Sequence, residues 1–232
     1  GWVRAMTGHI DLTREMKFKD GDSPRFIFHA ETTDKLLVFG TNGRFYTVVA
    51  ANLPGGRGMG EPLRLMVDLP NEADIVDILV HQPGMRLIVA SDEGNGFIVP
   101  ENDIIAQTRT GKQVLNVGDG VAKACIRMNG DHVAVVSENA KLLVFATDEL
   151  PEMGRGKGVR LQKYKKAAGR QGTLEIDGGL CDLTTFQWAD GLSWQMGGGK
   201  TRTEPDMAEW KGARGGVGKR PPHGFPKNNK FS

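Results

Sequence analysis

Leu36-Leu-Val-Phe-Gly-Thr-Asn-Gly-Arg-Phe-Tyr-Thr-Val-Val-Ala-Ala-Asn-Leu-Pro-Gly-Gly-Arg-Gly-Met-Gly60 decides the fold, because copies of it return along most of the chain. Leu36 to Phe39 and Phe45 to Ala50 are apolar, β-favouring runs. Thr41-Asn42-Gly43 between them supplies residues that tolerate the positive φ of a tight hairpin. After the second strand come Leu53-Pro54 and a glycine-rich turn carrying Arg57. A second copy runs from Leu87 to Val99, with Arg109-Thr-Gly-Lys112 in the place of the basic turn. A third runs from Val133 to Phe145 and through Leu150-Pro151 into Gly154-Arg-Gly-Lys-Gly158. A weaker fourth starts near Leu180, turns at Asp190-Gly191, continues through Trp194 and ends in Ala213-Arg-Gly-Gly-Val-Gly-Lys219. With Gly43, Gly96, Ala140 and Gly191 as turn markers the spacings are 53, 44 and 51 residues, a period of propeller-like repeat folds.

Gly1-Trp-Val-Arg4 matches Gly43-Arg44-Phe45, so the chain is expected to start on a hairpin turn and second strand whose first strand is missing, leaving an unpaired edge. The resulting expectation is one domain over 1–220, with repeats at about 1–27, 28–75, 76–122, 123–172 and 173–220. Residues 221–232 are rich in Lys, Pro and Asn and read as a basic flexible tail.

At 232 residues the chain can bury a core without disulfides or metal. The 32 glycines and 11 prolines are scattered, which suits many short strands and turns. Cys125 and Cys181 have no partner at metal or redox spacing and read as buried free thiols. No apolar run approaches the roughly 20 residues of a membrane span, and no signal-peptide pattern opens the chain, so a cytosolic location is expected. A net charge of +2 hides an asymmetry. Residues 1–153 carry 15 Lys or Arg against 21 Asp or Glu, whereas 154–232 carry 15 against 7. A polyanionic partner met from one side would produce such a split.

The strongest local signal lies at 155–170, where Arg155, Lys157, Arg160, Lys163, Lys165, Lys166 and Arg170 surround Tyr164 with no acidic residue. We read it as a phosphate-contacting surface rather than a merely solvated run. Other patterns are blander. Lys17-Phe-Lys-Asp-Gly-Asp22 lacks the spacing and closing glutamate of a calcium loop. Gly197-Gly-Gly-Lys-Thr201 has Trp194 where a Walker A loop needs glycine, and reads as a hairpin turn. Met207 to Lys211 can form one helical turn. The acids Asp68, Glu72, Asp74 and Asp77 read as solvated loop charges rather than a glycosidase pair. The five histidines are dispersed, and no catalytic or metal-binding constellation is visible.

With these residues in view, the chain resembles the C-terminal domain of the A subunit of bacterial type IIA topoisomerases, that of topoisomerase IV more than gyrase. The likeness rests on Gly1-Trp-Val-Arg-Ala-Met-Thr-Gly-His9, Phe18-Lys-Asp-Gly-Asp22, Gly43-Arg-Phe-Tyr46 and Leu53-Pro through Arg57-Gly-Met-Gly-Glu-Pro-Leu63. It extends through Ala90-Ser-Asp-Glu-Gly-Asn-Gly-Phe97 and Leu150-Pro to Gly156-Lys-Gly158, spanning residues 1 to about 165 well and the rest loosely. The resemblance implies an all-β fold, the β-pinwheel: a propeller-like disc of about five four-stranded blades that exchange strands, here with a truncated first blade, the ring open or closed. It also implies a basic outer rim that binds and bends double-stranded DNA. Gyrase carries a QRRGGKG-type box that supports full wrapping; the nearest string here, Ala213 to Lys219, lacks the glutamine and the paired arginines.

Turns repeated once per blade recur around a rim, and basic residues beside glycines can meet successive phosphates. The expected DNA-binding residues are therefore Arg44, Arg57, Arg109, Lys112, Lys141, Arg155, Lys157, Arg160, Lys163, Arg214 and Lys219. The resemblance implies no catalysis and no cofactor in this domain, ATP and magnesium serving the parent enzyme. Partners would be the remainder of the A subunit, with the B subunit reached through it, on the bacterial chromosome and without a membrane. The alternatives are a gyrase-type wrapping domain, a protein-interaction propeller, and a carbohydrate-active propeller needing convergence among Asp68, Asp77, Asp92 and Asp182.

Overall fold

The computed structural model describes residues 1–18, 20–56, 58–168 and 174–232, with 165–168 and 174–177 described as backbone strands only. Regular structure is strand, with single 3-10 turns such as Ala50–Asn52, Glu101–Ile104 and Ala208–Trp210. The first strand is β1 (Trp2–Val3). Next come β2 (Lys35–Gly40), β3 (Arg44–Val49) and β4 (Glu61–Pro62). They are followed by β5 (Ile75–Val80), β6 (Arg86–Ser91), β7 (Asn95–Pro100) and β8 (Lys112–Gln113). The next unit holds β9 (Ala122–Arg127), β10 (His132–Ser137), β11 (Leu142–Ala146) and β12 (Val159–Arg160). Last are β13 (Lys165–Ala168), β14 (Leu174–Asp177), β15 (Leu180–Phe186), β16 (Leu192–Met196) and β17 (Lys200–Glu204).

The sheets are assembled by exchange. Strands β5-β2-β3-β8 form one sheet and β9-β6-β7-β12 the next, all antiparallel. In each, the central hairpin belongs to one unit, and both outer strands come from the unit that follows. The third sheet, β15-β10-β11, has three strands and completes the pattern with a bridge between Leu142 and Lys219. At the ends, β1 pairs with β4 and β16 with β17. Four strands per blade, expected throughout, thus holds in two sheets among the described residues. The pairing of Trp2 with Pro62 and Val3 with Glu61 repeats that of Arg44 with Gln113 and Phe45 with Lys112, so Trp2 and Val3 hold the positions of Arg44 and Phe45 that the sequence match implied.

Alternation explains the stacking. Strands β2, β6 and β10 are buried on both faces, because successive side chains point to opposite sides and each side meets a different neighbouring sheet. Leu37 and Phe39 pack with Leu87, Val89 and Phe97, whereas Val38 lies with Tyr46, Val48 and Leu63. Ile88 and Ala90 join Val133, Val135 and Phe145; Ala134 and Val136 join Leu192 and Trp194. Among the described residues four apolar clusters therefore link the sheets in series. A bulge recurs at one place, after Phe39, Ala90 and Val136, and bends each central strand next to its turn.

The hairpin turns correct two of the sequence markers. Positive φ falls at Gly43, Gly94 and Ala140, so Gly96 lies inside β7 instead. In the last hairpin the turn is Gly197–Gly199 rather than Gly191, which precedes β16. The residues Gly197 to Thr201 thus form the hairpin turn expected of them. The segment 221–232, expected as a flexible tail, is docked. Phe231 is buried, its carbonyl accepts from the Gln195 N–H at 2.7 Å, and Phe225 lies 5.3 Å from the Trp194 ring. Two aromatics drive this packing in a segment that composition alone makes loop-like.

Candidate nucleic-acid interface

The basic turns sit where one unit crosses onto the sheet of the unit before. Gly60, Gly111, Gly158 and Gly218 all have positive φ, and each presses against a carbonyl of the preceding hairpin. At Gly111 an added Cβ would lie 2.7 Å from the Phe45 oxygen, and at Gly158 2.3 Å from that of Gly96. No side chain fits such an approach. The glycines of the motif are therefore clasps between blades, and its cations stand on either side of a structural joint.

Those cations divide by what they touch. Arg44 is spent on the clasp beside it: its Nε donates to the Thr110 carbonyl at 2.9 Å, and its two Nη atoms to Gly111 O and Gln113 Oε1. Arg109 donates to the Leu65 carbonyl at 2.7 Å and lies 3.4 Å from Asp68. Lys157 is paired with Glu93 at 3.1 Å. Arg214 donates from Nη1 to the Arg160 carbonyl at 2.7 Å. Lys112, Lys141, Arg155, Arg160, Lys163 and Lys219 are exposed, and among the described residues none has a carboxylate partner. Arg57 lies outside the described residues, as does Arg170.

Four of the unpaired cations are brought together by backbone pairing. The Gly215 N–H donates to the Leu161 carbonyl and the Lys163 N–H to Gly216 O, both at 2.9 Å. Leu142 and Lys219 exchange N–H···O bonds of 2.7 and 2.9 Å. The run 160–163 is thus held against the loop 214–219, which is itself joined to the strand that starts after Lys141. Lys141, Arg160, Lys163 and Lys219 share this junction although 78 residues separate the first from the last.

Tyr164, flanked by lysines in sequence, does not offer an open ring. It packs against the positive-φ turn at Gly94, where a Cβ would sit 2.5 Å from its ring, and burial pushes its hydroxyl well above the ordinary range. Sequence reasoning also missed Lys200, exposed directly after the turn Gly197–Gly199, in the place that Arg44 and Lys141 hold after their turns. Aligning the fourth hairpin on the glycine triplet would have found it. Lys211 lies 4.5 Å from the Trp188 ring.

The candidate carboxylates are bound by different backbone groups. Asp92 accepts from the N–H groups of Glu93 and Val121, Asp182 from those of Leu183 and Phe231, and Asp77 from that of Ile78. Burial raises Asp77 to about 6 and also raises Asp182. Among the described residues no His, Cys, Asp or Glu group is arranged to hold a metal, and no helix is long and apolar enough to cross a membrane. Glu101, fully buried, accepts at 2.7 Å from both Arg127 Nε and the Gln82 N–H, tying β9 to the segment after β5.

Strand exchange in series, glycine clasps and a cationic junction define a β-pinwheel of the kind found in type IIA topoisomerase A subunits. The chain belongs to the family described as DNA gyrase C-terminal domain, beta-propeller, whose model matches residues 34–82, 86–123 and 131–168. Over its whole length it is 47% identical to the A subunit of DNA topoisomerase 4 from Rickettsia bellii and 44% identical to that from Caulobacter vibrioides. It spans 30% and 29% of the length of those two relatives. A solved structure of the Escherichia coli ParC C-terminal domain matches with a TM-score of 0.79 at 25% identity, covering 98% of this chain and 92% of that one. A DNA gyrase A C-terminal domain shares the fold, at a TM-score of 0.58 and 16% identity over 82% of this chain and 60% of the other.

Proposed function

We propose that this chain binds duplex DNA without reading its sequence and bends it, as the C-terminal domain of a topoisomerase IV A subunit. The observation that supports this most directly is the junction of Lys141, Arg160, Lys163 and Lys219, with Arg155 nearby in sequence, all exposed and unpaired by carboxylates among the described residues. Lys112 stands apart from them on an earlier sheet. Such groups neutralise phosphates and release counterions, giving affinity that falls steeply with salt and ignores base identity. Bending a site of 20–30 base pairs costs about 1–6 kcal/mol, which several charge-assisted contacts can offset.

In this reading Arg44, Arg109 and Arg214 serve mainly as internal ties, so the DNA follows part of the rim rather than all of it. A partial track suits bending more than complete wrapping, and the relatives at 44–47% identity are topoisomerase 4 subunits. The domain would hold a DNA segment for the strand-passage core of the parent enzyme, in decatenation and supercoil relaxation on the bacterial chromosome. Cleavage, with its tyrosine, and the ATP and magnesium used by the parent enzyme would belong to that core and to the B subunit, and no cofactor to this domain.

Binding of a plain 30-base-pair duplex, followed by fluorescence anisotropy across a salt series with end-to-end energy transfer reporting curvature, tests the proposal. We expect a log–log salt slope of about −4 to −5, from 0.9 per phosphate contacted, together with a shortened end-to-end distance. Salt-independent binding, or displacement by one competitor sequence alone, would sink it.

A further inference from the structure

We propose that Gln162 is a positioning residue for the cationic junction, holding Lys141 and Lys219 in register with Arg160 and Lys163. This inference rests on the DNA-binding reading. Gln162 is fully buried, and its Nε2 donates at 2.8 Å to the Lys141 carbonyl and at 2.9 Å to the Val217 carbonyl. One amide therefore joins three pieces of chain: the turn of the third hairpin, the run after β12, and the glycine-rich loop that ends at Lys219. Gly218 makes room for it, since a Cβ there would lie 3.0 Å from Nε2 and 2.5 Å from the Leu142 oxygen.

The other end of the same side chain argues that the amide is present for its donors. Oε1 is buried and has no hydrogen-bond partner among the described residues. A buried acceptor without a partner is a cost that an apolar side chain of the same length would avoid. Two carbonyl acceptors fix the orientation of the amide, because a flipped group would set oxygen against oxygen.

A comparable bridge at an earlier junction shows the difference. Gln113 Nε2 donates to the carbonyls of Asn42 and Leu115, and its Oε1 accepts from Arg44. There the amide is satisfied at both ends and helps draw the cation inward. At the later junction Lys141, which follows its turn as Arg44 does, is tied only through its backbone, and its ammonium stays outside. The same device thus silences one rim cation and presents another.

The test compares Gln162→Met with Gln113→Met in duplex-DNA titrations over a salt series, with thermal unfolding of both. Each variant loses a two-carbonyl bridge, so both should melt earlier. The inference expects Gln162→Met alone to flatten the salt slope, by about two from the loss of Lys141 and Lys219 at 0.9 each. Equal slopes in the two variants and the parent would overturn it, as would an equal loss in both variants. Should Gln162→Met fail to fold, Gln162→Asn, which keeps an amide too short to reach both carbonyls, takes its place: a slope shallower by about two supports the inference and an unchanged slope refutes it. Absence of salt-dependent binding by the parent chain would instead defeat the DNA reading, and this inference with it.

Discussion

Gly158 lies so close to Gly96 that a methyl group on its Cα would stand 2.3 Å from the Gly96 carbonyl oxygen. Its φ of +78° is itself disfavoured for any other residue. The contact closes β12 onto β7, that is, one unit onto the sheet of its predecessor. Gly158→Ala should therefore destabilise the chain by about 2 kcal/mol or more, through left-handed strain and the clash together. Gly154→Ala, with open space around its Cα, should change stability little. Denaturant unfolding of the two variants checks this; similar midpoints would remove the clasp role.

The quadruple variant Arg155→Ala, Lys157→Ala, Arg160→Ala and Lys163→Ala removes three unpaired cations and one held by Glu93. The salt slope of duplex binding should become shallower by about three, with no change in sequence preference. If affinity drops while the slope is retained, these side chains do not meet phosphates.

Asp77 sits in the joint beside Arg127, and burial lifts its carboxyl to about 6 despite the Ile78 N–H and the Arg127 charge. The unfolded value is about 3.9, so between pH 4 and 6 the folded state binds more protons than the unfolded one. Stability from this group is then greatest below pH 4 and declines as pH rises through 6. Asp77→Asn, which keeps an acceptor for Ile78, should gain on the order of 2 kcal/mol over the parent at pH 7 and nothing at pH 4. Melting curves across this window that stay parallel for the two proteins would contradict the assignment.

Phe231 anchors the last residues of the chain: its N–H donates to Asp182 and its carbonyl accepts from Gln195. Phe231→Ala should cost about 3 kcal/mol, the low end for a core phenylalanine. Hydrogen exchange at the Gln195 amide should accelerate, while amides of β2 and β6 keep their protection. An unaltered Gln195 rate would mean that the segment is not held by this residue.

Much was legible from the residues. The apolar, β-favouring runs at Leu36 to Phe39, Leu87 to Ala90 and Val133 to Val136 announced the repeated strands, whereas the recurrent glycines, read as turns beside phosphate-contacting cations, proved to be joints between units. The charge split after residue 153 pointed to the part of the chain where the unpaired cations gather. The fourth hairpin was misplaced because Asp190-Gly191 imitates a turn and the glycine triplet lies seven residues later.

Local sequence determined the strands, the turns and the repeat, since alternation, β-propensity and positive φ are properties of neighbouring residues. It could not tell a free cation from a spent one. The partners of Arg44 lie 66 to 69 residues further on, and the partner of Lys157 lies 64 residues back. Only the exchange of strands between units brings them within hydrogen-bonding reach. The same exchange decided that Arg44 turns inward on its clasp while Lys141, following an equivalent turn, keeps its charge in solvent.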